Sequence, residues 1–398
     1  MKNVRILLFI LPLLIFAVCS AGNPVKDSKT AFAAERFQPL IDSGEYPGMI
    51  SILYRNGIQE TACLGWAHVE KKIPMSMDLM FMQCSQTKGL CGVTVAMLVE
   101  EGRISLDDPV HKYLPQFRDL KVKSKDKEGR DITVPAKNVL TIRMVMNHTG
   151  GFPFEVPSKS RKGWPAISLQ DAAKEAAARP LLFEPGTGEK YSNTGIDIGA
   201  AVVEKVTGQK WDDFVRERVF EPLGMKDSTF NPTDEQLARR IYLYRIKKGQ
   251  KAQFVEFFNA MPLPHNGKNI HPSAGAGLWT TAADQYKFYK MLMNLGVGDN
   301  GVRILKEETV KNLLATSSRP EKFGGYSLGL TTGRDGSFGH GGAWGSLCSV
   351  NWKKKELRLL VIQGSGTGVV RGEWSKICEK FFSAKDLSGV NDYTGRMQ

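Results

Sequence analysis

Two apolar-rich runs, Gly48–Tyr54 and Ile58–His68, flank Arg55-Asn56-Gly57 and predict an early hairpin closed by a tight turn. A second pair, Leu347–Val350 and Leu357–Gln363, is separated by the basic, Asn-containing stretch Asn351–Glu356 and predicts another hairpin near the end. Helical spacing governs much of the rest. A short helix is predicted over Phe32–Ile41, and after the apolar run Leu79–Met82 the residues Leu90, Val93, Met97 and Leu98 recur until Glu101-Gly102 stops the pattern. Val139–Asn147 predicts a helix ending at Gly150-Gly151, followed by Ile167–Ala178, Ile196–Val206 and Trp211–Val219, with Gly208 between the last two. Trp374, Ile377, Cys378 and Phe381 share one face of a final helix. The pattern implies an α+β fold: an antiparallel sheet from both chain ends, flanked by terminal helices, with a helical lobe inserted between and a cleft where the lobes meet. The loop regions Phe152–Pro165 and Met261–Gly277 suit either the rims of that cleft or plain surface connections.

The ends of the chain carry different signals. Residues 1–21 combine Lys2 and Arg5, an apolar run from Ile6 to Val18, and the small residues Ser20-Ala21, which reads as an export signal; an uncleaved anchor is the competing reading. The expected organisation is this signal, one domain over 22–385, and a flexible tail over 386–398. Cys19, directly after the apolar run, suits lipid attachment, although Val18 is bulkier than the small residue usual there. The expected location is the periplasm or cell envelope, with peripheral or lipid-mediated attachment.

The formal net charge of +13 raises nucleic acid or an anionic surface as partners. Much of it is dispersed, and in Lys121–Arg130 the lysines interleave with Asp126 and Glu128 without aromatic residues, so a solvated loop is expected and nucleic-acid binding is not. Cys63, Cys84, Cys91, Cys348 and Cys378 are too scattered for a disulfide scaffold, although one opportunistic bridge fits. None of the histidines His68, His111, His148, His265, His271 and His340 forms the short helical pair of a zinc hydrolase, so no metal is expected. Gly364-Ser365-Gly366-Thr367-Gly368 lacks the residues of a phosphate cradle and reads as a turn before the last helix; no cofactor is expected.

Three segments carry candidate chemistry. In Cys84-Ser85-Gln86-Thr87-Lys88, Lys88 stands three positions after Ser85 at a predicted helix start, so both side chains share a face. A serine hydroxyl needs a neighbouring base to act as a nucleophile, and a lysine kept partly neutral supplies one. Cys84 has no nearby histidine to activate it and reads as an apolar wall. In Pro185-Gly186-Thr187-Gly188-Glu189-Lys190-Tyr191-Ser192-Asn193, a turn could present a phenol able to shuttle a proton and an amide able to orient the lysine. Asn193 could instead cap the helix near Ile196. In Phe338-Gly339-His340-Gly341-Gly342-Ala343-Trp344-Gly345, the glycines let a strand edge approach a ligand, and His340 can donate or accept a hydrogen bond.

Together, Ser85-Gln86-Thr87-Lys88, Tyr191-Ser192-Asn193 and His340-Gly341-Gly342 resemble the serine beta-lactamase and penicillin-binding superfamily, above all its class C-like branch of DD-peptidases, D-amino-acid peptidases and carboxylesterases. Thr141–Gly151 and Leu182–Gly186 resemble its structural signatures, so the likeness spans about 35 to 385. The resemblance implies Ser85 as nucleophile and Lys88 as the group that helps deprotonate it. Tyr191, with Asn193 and Lys88 around it, would relay protons; the N–H groups of Ser85 and Ala343 would form an oxyanion hole; His340 would join the catalytic set; and Gly341 and Gly342 on its strand edge would align substrate.

His340-Gly341-Gly342 departs from the Lys-Thr-Gly of the lactamase subgroup by losing a fixed charge and a hydroxyl. That departure favours hydrolysis of a small carboxylic ester through an acyl-enzyme. A D-amino-acid or peptidoglycan peptidase, a weak beta-lactamase, and a catalytically weak envelope binding protein are the alternatives.

Overall fold

The computed structural model describes residues 32–155, 167–255, 269–362, 364–365 and 368–387. The export signal, Cys19, nearly all of the expected tail and much of both Gly/Pro-rich loops lie outside the described residues.

The two predicted hairpins become neighbours in one antiparallel sheet. Its seven strands run in the order Thr331–Thr332, Ser337–Gly341, Leu347–Asn351, Glu356–Val361, Gly48–Arg55, Ile58–His68 and Ile73–Pro74. Ile50 pairs with Val361 on one side and Cys63 on the other, so the first and last parts of the chain meet at the centre of the sheet. Asn56 and Gly57, both with positive φ, close the first hairpin as its twist requires.

Alternation along these strands divides the core in two. Ile50, Ile52, Leu357, Leu359 and Val361 face the helical lobe. Met49, Leu53, Leu360 and Ile362 face the terminal helices Phe32–Asp42 and Gly368–Ser383, where Phe32 meets Phe381 edge to face at 5.5 Å. Buried Trp374 adds an indole N–H donated to Ser51 Oγ at 3.1 Å. Removing that side chain would cost about 3–5 kcal/mol.

The helix after Ser85, Thr87–Glu100, is buried on every side from Thr87 to Leu98, because it is wedged between the sheet and the helix Asn193–Thr207. Gly92 makes this possible: a Cβ there would sit 1.8 Å from the Leu328 carbonyl oxygen. The two lobes therefore meet along the helix that carries the Ser-x-x-Lys pattern.

Several predicted bounds shift for local reasons. Val139–Asn147 contracts to Ile142–Met146 because Thr141 caps it through the Met144 N–H. Ile167–Ala178 becomes Leu169–Ala177 behind the cap Ser168. Ile196–Val206 lengthens to Asn193–Thr207 because Ser192, not Asn193, is the cap, which frees the Asn193 amide for other work. Trp211–Val219 is helical to Val215 and continues as a wider turn over Arg216–Phe220. Lys121–Arg130 is not a simple loop: Lys121–Lys125 and Asp131–Pro135 form an exposed hairpin of their own. Gly364-Ser365 is a short strand parallel to Tyr244-Arg245 rather than only a turn. Cys84, Cys91, Cys348 and Cys378 are buried free thiols.

Candidate active site

Ser85 sits in a 3-10 turn, Cys84–Gln86, that runs directly into the helix Thr87–Glu100. Backbone N–H groups in such a first turn have no intrahelical acceptor and remain available to a ligand. Cys84 adopts a left-handed φ of 53° while almost fully buried, a strained arrangement that angles the next residue into the cleft. Thr87 Oγ1 holds the turn by donating to the Cys84 carbonyl at 2.6 Å. Burial pushes the Cys84 thiol up to about 12, so it stays protonated and its place beside the hydroxyl is that of a wall.

Lys88 is fully buried, and its amine donates to Asn193 Oδ1 and to the Gly275 carbonyl, each at 2.6 Å. Desolvation lowers its pKa to about 7, against the opposing pull of Asp197 and smaller contributions from Cys84, Glu155 and Cys91. A substantial fraction is therefore neutral near pH 7. The amine also lies 4.6 Å from the centre of the Tyr191 ring. Asn193 in turn donates its amide to Glu155 Oε1 at 3.2 Å.

Tyr191 interacts with the Ser85 hydroxyl, and burial raises its phenol to about 12 despite that hydrogen bond. Its position comes from both sides. Ser192 caps the following helix through the Gly195 N–H and donates to the Pro153 carbonyl at 2.6 Å, while Phe154 lies nearly parallel to the Tyr191 ring at 6.0 Å. Phe154 is 48% exposed, which leaves an aromatic surface at the mouth of the site.

The third segment forms the strand Ser337–Gly341 and the turn Ala343–Gly345. A Cβ on Gly342 would lie 2.3 Å from the Gln83 carbonyl oxygen and 2.2 Å from Ser346 Oγ, so only glycine lets this strand end abut the Ser85 turn. Ser346 Oγ also donates to the Gln83 carbonyl at 3.2 Å. Ala343 is exposed at the first position of its turn, with its N–H unclaimed by that turn.

His340 points inward. Its Nδ1 donates to the Gly341 carbonyl at 2.6 Å, so Nε2 is left to accept the Tyr326 hydroxyl at 3.1 Å. Burial, with Lys88 nearby, lowers it to about 3, and the imidazole stays neutral. It cannot supply the positive charge of the lysine found in the lactamase pattern.

Four further residues escaped the sequence reading. His148 packs between Tyr191 and Tyr326, 4.6 Å from each ring. Asp197 lies one turn beyond Asn193 on the same helix, a spacing visible in the sequence once Asn193 was singled out. Gly275 belongs to the second Gly/Pro-rich loop, whose role as a cleft rim its contact with Lys88 supports. Arg371, on the final helix, donates to the Gly342 carbonyl at 2.8 Å, and its Nε is buried without a hydrogen-bond partner. Among the described residues no carboxylate lies within ion-pair distance of it. His148 lies within Thr141–Gly151, the segment that resembled a structural signature, but was not singled out there; Arg371 carried no local signal, because it is defined by what it faces.

A family model described as "Beta-lactamase" matches residues 33–373. "Protein Rv1367c" of Mycobacterium tuberculosis is 27% identical over 279 residues, covering 68% of each chain. A "Putative D-alanyl-D-alanine carboxypeptidase" of Escherichia coli is 27% identical over 272 residues, covering 64% of this chain and 60% of its own. Among solved structures, "EstCE1, a hydrolase with promiscuous acyltransferase activity" superposes with a TM-score of 0.70 at 20% identity, covering 88% of this chain and 97% of its own. That likeness speaks to fold.

Proposed function

Because the chain belongs to the beta-lactamase family, we propose that it is a serine acyl hydrolase that cleaves small carboxylic esters through a covalent acyl-enzyme on Ser85. The observation that carries this reading is the buried Lys88 amine with a pKa of about 7, held by Asn193 and Gly275 beside the Ser85–Tyr191 pair. A neutral amine has two N–H groups, and both have acceptors here, which leaves its lone pair for a proton.

The steps follow from that arrangement. Ser85 Oγ attacks the ester carbonyl as its proton passes toward Lys88, directly or by way of Tyr191. The carbonyl oxygen becomes negative and is met by the N–H groups of Ser85 and Ala343; losing one such donor costs about 3–4 kcal/mol. The C–O bond to the leaving group breaks, and the alkoxide takes a proton relayed from Lys88 through Tyr191. Water then repeats the sequence in reverse, breaking the acyl–Oγ bond and returning the proton to Ser85. Gly341 and Gly342 align the substrate along the strand edge, and His340 braces that edge.

The inward, neutral His340 supports an ester over a substrate that needs a lysine charge at this position. EstCE1 is described as a hydrolase with promiscuous acyltransferase activity, which agrees with acyl transfer to a nucleophile and favours neither ester nor peptide. Arg371 favours a second reading, a substrate bearing a carboxylate such as a D-amino-acid peptide, whose carboxylate departs with the leaving amino acid, and the description of the Escherichia coli relative points the same way. The pattern of residues 1–21 supports action outside the cytoplasm, in the periplasm or at the cell envelope.

A panel of activated and simple carboxylic esters, D-amino-acid peptides and a beta-lactam tests the reading. Ester turnover exceeding peptide turnover is expected. Cleavage of the peptides alone would replace the ester reading with the second one.

A further inference from the structure

Lys88 has two acceptors of different origin. Asn193 comes from the conspicuous Tyr191-Ser192-Asn193 segment, whereas Gly275 comes from a loop that itself needs an anchor. That anchor is Asp197. Its Oδ1 accepts the Gly275 N–H at 2.9 Å and the Ser273 hydroxyl at 3.1 Å, and its Oδ2 lies 3.4 Å from His271 Nε2. The carboxylate is only 16% exposed, so its charge is weakly screened. The loop also presses directly on the helix: a Cβ on Gly275 would meet Asn193 Cβ at 2.7 Å. One helical face thus supplies Lys88 with one acceptor directly, from Asn193, and the other indirectly, from Asp197 through Gly275.

We infer that Asp197 is a positioning residue that sets the pH range over which Lys88 acts as a base, by fixing the Gly275 carbonyl on the amine and by favouring the protonated amine through its negative charge. This rests on the reading of Lys88 as the base for Ser85 acylation. Burial pushes the amine toward its neutral form and weakens it as a base; the carboxylate opposes that drift. Among the groups around Lys88, Asp197 is the largest opposing influence, ahead of Cys84 in the preceding turn, Glu155 beyond Asn193 and Cys91 on the same helix. Tyr191 faces the amine as a neutral phenol, and His148 and His340 face it as neutral imidazoles. His271 faces Asp197 from the same loop as Ser273.

The test is the rate of Ser85 phosphonylation by a fluorophosphonate, followed by intact mass from pH 5 to 9. In that reaction the Oγ–P bond forms, the P–F bond breaks with fluoride leaving, and the serine proton passes to Lys88 and then to solvent. The parent is expected to show a midpoint near 7. In Asp197→Asn the midpoint should fall by about one pH unit. Asp197→Glu, which keeps the charge, and Ser273→Ala, which removes a hydrogen bond but no charge, should both stay near the parent. Should Asp197→Asn not fold, Asp197→Ser carries the same expectation. An unmoved midpoint in the neutral variant, or an equal shift in Asp197→Glu or Ser273→Ala, overturns the inference. A parent that never labels at Ser85 overturns the acyl-enzyme reading and the inference with it, a result distinct from the others.

Discussion

His148 clasps the chain on both sides of Tyr191. Its carbonyl accepts the Lys190 N–H at 3.0 Å, its Nδ1 accepts the Ser192 N–H at 3.3 Å, and its ring lies 4.6 Å from the Tyr191 ring. Because Nδ1 is an acceptor, Nε2 carries the hydrogen, and it is buried without a partner. Burial and the positive field of Lys88 hold the imidazole well below its usual range, so it stays neutral. Its left-handed φ of 68° is tolerated by asparagine better than by most residues.

These contacts predict different results for two substitutions. His148→Asn, which suits the backbone and offers an acceptor, should keep turnover within about 10-fold of the parent. His148→Phe, which keeps a ring but loses the acceptor, should lower kcat by about 100-fold with little change in KM, as expected when a group acting in the transition state is misplaced. Steady-state kinetics on an activated ester would check both, and equal losses would contradict the clasp.

Lys88 predicts the pH profile. Its pKa of about 7 lies below the ordinary 10.5, and the neutral form is the active one, so acylation should rise as pH increases through about 7 and then level. Tyr191, raised to about 12, should add no limb below pH 10. Burst kinetics across pH 5 to 9 measure this, and a rate that falls through neutrality would contradict Lys88 as base.

The glycines of the strand edge predict unequal costs. Gly342→Ala places a methyl 2.3 Å from the Gln83 carbonyl oxygen and should reduce kcat/KM by about 100-fold by moving the edge away from Ser85. Gly341→Ala meets the Leu347 Cδ1 methyl at 3.3 Å and the Arg371 guanidinium nitrogens at 3.7 and 3.8 Å, ordinary or near-ordinary contacts with side-chain ends, and should cost far less. Comparing kcat/KM with thermal midpoints would separate site distortion from unfolding.

The fold was legible where one element decides its own fate. The two hairpins and their union into one sheet followed from apolar runs around turn residues, and Ser85-x-x-Lys88 announced its geometry through spacing alone. Three kinds of information were not local. Which residue caps a helix decided between the two readings of Asn193: Ser192, one position earlier, makes the cap, and the Asn193 amide is left to hold Lys88 as its candidate chemistry required. The lysine-rich stretch Lys121–Arg130 supplies the strand Lys121–Lys125 of a hairpin with Asp131–Pro135 despite its polarity, since the Val122 side chain is buried while its lysine neighbours remain outside. His148, Gly275 and Arg371 enter the site from loops and a distant helix, so their roles exist only in the folded chain.

Arg371 predicts substrate discrimination. One guanidinium nitrogen is tied to the Gly342 carbonyl, yet no carboxylate among the described residues neutralises it. Arg371→Leu should raise KM for a carboxylate-bearing acyl donor by about 10-fold or more, in line with loss of a charge-assisted hydrogen bond, and affect a neutral ester much less. Equal changes for both substrates would make Arg371 a brace for the strand edge.

The central claim is that Ser85 becomes acylated. Time-resolved intact mass during turnover of an activated ester should show the parent gaining the mass of one acyl group, peptide mapping should place it on Ser85, and Ser85→Ala should remain unmodified while keeping its fold. Equal adduct formation in the parent and Ser85→Ala would contradict the account.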